Sequence, residues 1–400
     1  MFTKSEASGK HMSAPGPENE LLICVARRTL AEAEEARLQR LLSGELDWGY
    51  LLATADRHCL IPLLYSHLNS VASPEVPLQV MSRLGQLNQE NTRSSLLLTG
   101  ELLQLMSVLE EHGIEAIPFK GPTLALLAYG DVGRRAFGDL DILVKRQAFP
   151  AVKELLLSQG FTPKPELTRA QQAAALRFDC SQNFANEKNI WVDVHWQFLA
   201  PYLSLHFDTD QLWDRLEPIT VNRRELTTVS PEDLLLVLCL HGFAHFWERL
   251  GWICDVAALI ESQEKIDWQV VLQNAASLGG RRILLLGLYL ASDLSGAPVP
   301  PEILKTADAT VLALADRVQW GHFTEATPAA GIFTEVRLHL AMRERKRDKL
   351  KSCLRLLTTP RVADWKLRPL PASLFFLYYA LRPLRLAGKY GAKLLRPQRH

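Results

Sequence analysis

The hydrophobic period of this chain changes twice, and the two changes limit its fold more tightly than any other feature. As far as His112, apolar residues recur every three or four positions: Leu21, Leu22, Val25 and Leu30, then Leu38, Leu41 and Leu42, then the run Leu96 to His112, stopped at Gly113. That spacing lays one apolar stripe along a helix, and glycine suits its C-terminal end. Between Ile114 and Phe198 the period shortens. Ile114-Glu-Ala-Ile-Pro-Phe-Lys120 is closed by Gly121-Pro122 and reads as a strand turning into a helix over Thr123 to Tyr129. Gly138-Asp-Leu-Asp-Ile-Leu-Val144 alternates polar and apolar, as a half-buried strand does. A helix, Gln147 to Gln159, follows, and two β-like runs between Leu176 and Phe198 flank a turn at Asn186-Glu-Lys-Asn189. After Leu216 the helical period returns and is expected to hold to the end. Its start is marked by Ser230-Pro231-Glu232-Asp233, a capping serine, proline at the first helical position and acids in the first turn.

These periods predict an α/β (α+β) protein with a short mixed sheet over residues 96–216. A helical lead-in over 19–95 precedes it, and a helical domain over 217–400 with a basic C-terminal tail follows. Residues 1–18 read as a disordered polar leader. No internal repeat or low-complexity tract interrupts this order. At 400 residues the chain exceeds one small core. Its net charge of +1 gives no global reason to bind nucleic acid or membrane, so any such surface has to be local. The six cysteines form no C-x-x-C pair, and the N-terminus has no apolar signal core. The most apolar late stretch, Leu374 to Leu381, falls well short of the roughly 20 residues that cross a bilayer. A reduced, cytoplasmic protein without a transmembrane segment is expected.

The chemistry concentrates on the alternating strand. Asp139 and Asp141 are two apart, so both carboxylates leave the same face and repel unless a cation lies between them. Mg²⁺ is the usual partner of such a pair, held by one or two carboxylates while substrate phosphates complete its shell. A second ion, as in two-metal phosphoryl chemistry, needs a third carboxylate on a neighbouring strand, and Asp193, between Val192 and Val194, is the candidate. Lys120-Gly121 closes the preceding strand at a helix start, where backbone N–H groups and a lysine favour phosphate. Arg135 lies in a loop four residues before Asp139, placed to fold over the same site.

Three segments together resemble an uncharacterised bacterial nucleotidyltransferase family within the DNA polymerase β superfamily: Phe119 to Asp131, Arg135 to Val144, and Val192-Asp-Val-His-Trp196. The resemblance implies a polymerase β-like core and Mg²⁺-dependent nucleotidyl transfer, with Asp139, Asp141 and Asp193 holding two ions. Lys120, Gly121, Arg135 and Gly138 would lie against the nucleotide, expected to be ATP. Lys120-Gly121 stands where many superfamily members carry Gly-Ser. The acceptor is left open among a small molecule, a peptide or protein, and RNA. Two rival readings go with it: an RNA-directed, toxin-like tRNA modifier, and a non-catalytic NTP-binding or interaction protein.

Other residues weigh less. His241 and His245 share a helix face and could ligate zinc, but lack the glutamate of H-E-x-x-H, so a structural role or a contact to nucleotide or acceptor is preferred. Asp255 and Arg249 flank the same helices as possible pairing partners. Arg281 and Arg282 open a helix and could reach a triphosphate, though a solvated helix end is the commoner case. The run Arg343 to Lys351 reads as a solvated face. The tail carries Arg382, Arg385, Lys389, Lys393, Arg396 and Arg399 without an acid, and reads as a docking helix with a frayed basic end, or as a peripheral contact to membrane or nucleic acid. Trp191 and Trp196 are expected to line the core.

Overall fold

The computed structural model describes residues 16–199, 205, 207, 209–321, 338–360, 364–365 and 370–394. The leader expected over 1–18 therefore lies outside the described residues as far as 15, while Pro17 already opens the first helix. Five helices lead in: α1 (Pro17–Val25), α2 (Glu32–Leu42), α3 (Trp48–Arg57), α4 (Ile61–Val71) and α5 (Leu78–Glu111). α5 runs unbroken through residue 95 and starts 18 residues before the strong periodicity at Leu96. Before Leu96 it buries only Leu84 and Ser95, so little apolar patterning announced it.

The central sheet has five strands, β1 (Ala116–Pro118), β2 (Asp139–Val144), β3 (Thr162–Lys164), β4 (Ser181–Ala185) and β5 (Trp191–His195), in the order β1-β2-β5-β4-β3. It is mixed: β2 and β5 run parallel, and the other pairs are antiparallel. A short helix, α6 (Pro122–Leu124), continues as a π turn over Ala125–Tyr129 between β1 and β2, and α7 (Phe149–Ser158) and α8 (Arg169–Phe178) lie in the crossover from β2 to β5. The expected hairpin over Asn186 to Asn189 joins β4 to β5, with Asn189 at φ 59°.

Strand alternation sorts the faces of the sheet. Leu140, Ile142, Val144, Val192 and Val194 pack with Leu98, Leu102 and Leu109 of α5 and Phe149, Val152 and Leu156 of α7. Burying each such side chain is worth about 1.5–3 kcal/mol, which holds strand register firmly. The opposite face carries Asp139, Asp141 and Asp193, and its apolar residue Leu143 joins the larger core with Ile117 and Phe119.

That larger core is built around α10 (Pro231–Ala244), preceded in the chain by the short α9 (Thr209–Trp213). Leu234 to Leu240 are buried all round α10, the pattern of a helix enclosed by others. Ser230 caps it, accepting from the Asp233 N–H, as the sequence indicated. Around it lie α11 (Leu250–Ser262), α12 (Trp268–Leu278), α13 (Arg281–Ser295), α14 (Pro301–Leu304) and α15 (Ala309–Gly321), together with residues of α1 to α4. Two further helices, Lys346–Thr358 and Tyr378–Leu394, follow.

One expectation fails here. The chain does not stay helical after Leu216: β6 (Glu217–Val221) and β7 (Arg224–Thr228) pair as an antiparallel hairpin. Ile219, Val221, Leu226 and Thr228 are buried in alternation. The turn residues Asn222 and Arg223 sit at φ 46° and 68°, a two-residue hairpin geometry usually announced by glycine and here built without one. Thr228 Oγ1 donates to the Pro118 carbonyl (2.7 Å), tying the hairpin to β1.

Candidate active site

The candidate side chains lie on, or next to, elements already described. The parallel register sets Asp141 directly opposite Asp193, and Asn183 of β4 opposite Asp193 on the other side. Three carboxylate-bearing positions of two strands thus converge on one sheet face. Asp141 is buried, while Asp139 starts β2 at the exposed rim. The residue absent from the sequence reading is His195, two positions after Asp193 and so on the same face. Its Nε2 lies 3.1 Å from Asp141 Oδ1 and 3.0 Å from Asp193 Oδ2. Phe119 stacks edge-on against its ring at 5.2 Å. Turned so that its amide nitrogen faces Asp193, the orientation that satisfies both groups, Asn183 donates to the two Asp193 oxygens (2.7 and 3.3 Å).

Lys120, two residues past the end of β1, reaches Asp141. Its buried ammonium donates to Asp141 Oδ1 at 3.3 Å and to His241 Nδ1 of α10 at 3.3 Å. Gly121, next to it, is required by its backbone: φ is 54° and ψ −125°, and a Cβ there would meet the Asp139 carbonyl at 3.2 Å. Gly138 is exposed just before β2, with open space where a Cβ would stand.

Electrostatics separate the three acids. Burial would raise the Asp141 carboxyl, but the Lys120 ammonium and the hydrogen bond from His195 outweigh it and hold Asp141 well below the usual carboxylate range. Asp139 goes the other way, pushed up to about 6 by thinned hydration and by the neighbouring Asp141 charge. Burial would lower His195, but Asp193 and the bond to Asp141 override it and raise the imidazole to about 9.

Arg135, expected to fold over the aspartates, makes its hydrogen bonds to Asp255 while its charge still acts on Asp139 and Asp141. Its guanidinium donates from Nε and Nη2 to the two oxygens of Asp255 on α11 (2.8 and 2.9 Å), and Tyr129 Oη donates to Asp255 Oδ1 (3.0 Å). The pair fastens the loop before β2 to the helical body, because a buried carboxylate is stable only when its lone pairs are filled. Arg135 Nη1 is buried without a hydrogen-bond partner.

His241 and His245 face each other at 4.7 Å, with Trp252 at 5.2 and 5.3 Å and Arg249 over the Trp252 ring at 5.6 Å. No third zinc ligand joins them among the described residues. Arg282 is taken up by Asp308 (2.7 Å) and the Ala341 carbonyl (2.8 Å). Arg343 departs from its expected solvated face: it is 1% exposed and precedes the basic helix Lys346–Thr358 instead of lying on its outside. Arg382 is buried against Asp364 (2.6 Å), an acid outside the tail, so this part of the tail docks. Arg396 and Arg399 lie outside the described residues. Trp196 is buried and Trp191 half-buried. No helix among the described residues is long and apolar enough to cross a membrane.

The donor set can hold a divalent metal ion. Ligand atoms of Asp141, Asp193 and His195 all lie within 4.8 Å of one another, two carboxylates and one imidazole. Hard oxygen donors suit Mg²⁺ or Mn²⁺, and an imidazole is compatible with Mn²⁺.

Among curated proteins none matches this chain. A solved structure similar to it is an antigenic nucleotidyltransferase-like protein from Paracoccidioides brasiliensis, at 16% identity and a TM-score of 0.30, covering 54% of this chain and 95% of that one. A family model described as "uncharacterised nucleotidyltransferase" matches residues 44–296, which is more than half of the chain and contains β1 to β7, the aspartates, Lys120, His195 and α10 to α13. The chain belongs to this uncharacterised nucleotidyltransferase family.

Proposed function

We propose that the protein transfers a nucleoside monophosphate from an NTP, with ATP the expected donor, to a hydroxyl or phosphate acceptor, releasing pyrophosphate in a Mg²⁺-dependent reaction. The observation that carries this reading is the parallel register that sets Asp141 against Asp193 with Asp139 on the same face. Asp141, Asp193 and His195 would hold one ion, and Asp139 with Asp141 would hold the second beside the triphosphate. When bound, the ions supply Lewis-acid charge to the reacting phosphate and to the leaving oxygen.

The remaining work falls to the chain itself. The acceptor oxygen forms a bond to the α-phosphorus, the bond from that phosphorus to the α,β-bridging oxygen breaks, and pyrophosphate leaves with the electron pair. Lys120, fixed between Asp141 and His241, gives a permanent positive charge where negative charge builds on the leaving group. Asn183, turned so that its amide nitrogen faces Asp193, would orient that carboxylate toward the ion. The acceptor's proton would pass to solvent as the bond to phosphorus forms, because the three aspartates are committed to the ions. The acceptor is a small molecule, a peptide or protein, or an RNA, and a cytoplasmic setting fits all three.

The test uses NTPs labelled at the α-phosphate, incubated with Mg²⁺ and pooled acceptors of each class. Label should move to one acceptor class with wild-type protein and stay in NTP with Asp139→Asn/Asp141→Asn. Transfer by the double variant at the wild-type rate would remove the aspartates from the reaction.

A further inference from the structure

We infer that the wall of α10 and α11 facing Lys120 is the subsite for the polyphosphate chain of the donor nucleotide, the part that departs as pyrophosphate. The inference rests on the nucleotidyl-transfer reading and adds to it the place and chemistry of the leaving group.

The first support is the separation of charge across Lys120. To one side its ammonium donates to Asp141, on the sheet face that also carries Asp139 and Asp193. On the other side are His241, His245, Arg249 and Trp252. Lys120 cannot accept a hydrogen bond, so in the contact with His241 the lysine donates and Nδ1 accepts. Nε2 of His241 therefore carries the proton and is a donor to whatever lies beyond it. Arg249 is exposed, has only donors, and is set over Trp252, with one nitrogen near Cys59 Sγ (3.5 Å). Arg135 Nη1 adds a buried N–H without a partner. A surface made of donors, next to carboxylates that take a cation, is complementary to an elongated anion attached to that cation.

The second support is conformational. His245 and Arg249 are carried on a turn in which Phe246 and Trp247 sit at φ 54° and 53°, left-handed backbone that bulky residues rarely adopt. Trp247 keeps the turn in place by lying against Gly242 so closely that a Cβ there would meet its ring at 2.4 Å. At Gly251 a Cβ would meet the His58 carbonyl at 2.8 Å, and Leu250 N–H donates to His58 Nδ1 (3.2 Å). Backbone strain fixed this firmly beside a site preorganises the groups it carries. A nucleobase is a poorer occupant, because His241, His245 and Arg249 already crowd the Trp252 ring at 5.2 to 5.6 Å.

The experiment titrates inorganic tripolyphosphate, ATP and adenosine in magnesium buffer into the full chain by calorimetry. Wild type is compared with Arg249→Gln and with His241→Gln/His245→Gln, each first checked for its unfolding midpoint. Arg249 is exposed, so its variant keeps the test open if the double histidine variant does not fold. Each variant should weaken tripolyphosphate and ATP by the same factor, roughly tenfold or more for a lost charge-assisted hydrogen bond, and leave adenosine unchanged. Tripolyphosphate binding at wild-type affinity, or a loss of adenosine in step with ATP, would overturn the assignment. The two readings fail separately. If wild type binds tripolyphosphate through Arg249 but transfers no α-label, the wall stands and nucleotidyl transfer falls. If transfer proceeds and Arg249→Gln leaves tripolyphosphate untouched, the wall falls.

Discussion

Removing the positive charge of His195 by raising the pH should cost the metal-free protein stability in a defined window. The imidazole lies between Asp141 and Asp193, and those carboxylates raise it from the ordinary 6.5 to about 9. A group held above its unfolded value stabilises the fold fully below pH 6.5, and loses that contribution as pH rises through about 9. The difference of about 2.5 pH units corresponds to about 3 kcal/mol. At this chain length that amounts to a fall of roughly 4 °C in unfolding midpoint. The assay is thermal unfolding in EDTA from pH 6.5 to 9.5, for wild type and His195→Gln. The variant should unfold lower at pH 6.5 and approach wild type by pH 9.5, and saturating Mn²⁺ should abolish the slope that belongs to His195. Asp139, raised to about 6, also loses its contribution as pH rises, but below this window. Asp141, depressed, loses its contribution only as pH falls well into the acid range. A wild-type-minus-variant difference that stays constant across the window, or grows toward alkaline pH, would refute the idea that His195 is a charged partner of the two aspartates.

Two further outcomes follow from single contacts. Asp255→Ala leaves Arg135 buried without its carboxylate and Tyr129 without its acceptor, and should cost about 3–5 kcal/mol in urea unfolding; a cost under about 1 kcal/mol would show that the pair is solvated. Gly242→Ala drives a methyl into the Trp247 ring and should destabilise by about 1–3 kcal/mol, with a shift in tryptophan emission that an unmoved Trp247 would not give.

Much of the candidate site's geometry was legible because strand alternation is a strict rule. Asp139 and Asp141 had to share a face, and so did Asp193 and His195, two apart on β5; the histidine was open to the same inference, but attention to carboxylates alone passed over it. What alternation cannot supply is pairing. That β2 and β5 run parallel with Asp141 opposite Asp193 depends on packing against α5 and α7, far away in sequence. The contact from Lys120 to His241 spans 121 positions and has no local sign. Arg135 was placed by its nearness to Asp139 in the chain, yet a buried carboxylate on α11 competes for it with two hydrogen bonds. The β6–β7 hairpin was missed because Asn222 and Arg223 make its turn without glycine.

The most direct measurement of nucleotide binding at the aspartates is calorimetric titration of Mg²⁺ together with non-hydrolysable NTP analogues into wild type and Asp139→Asn/Asp141→Asn. Metal-dependent binding by wild type, lost by a folded double variant, is the expected result. Binding of equal strength by both proteins, or none by folded wild type, would contradict a nucleotide held on these carboxylates.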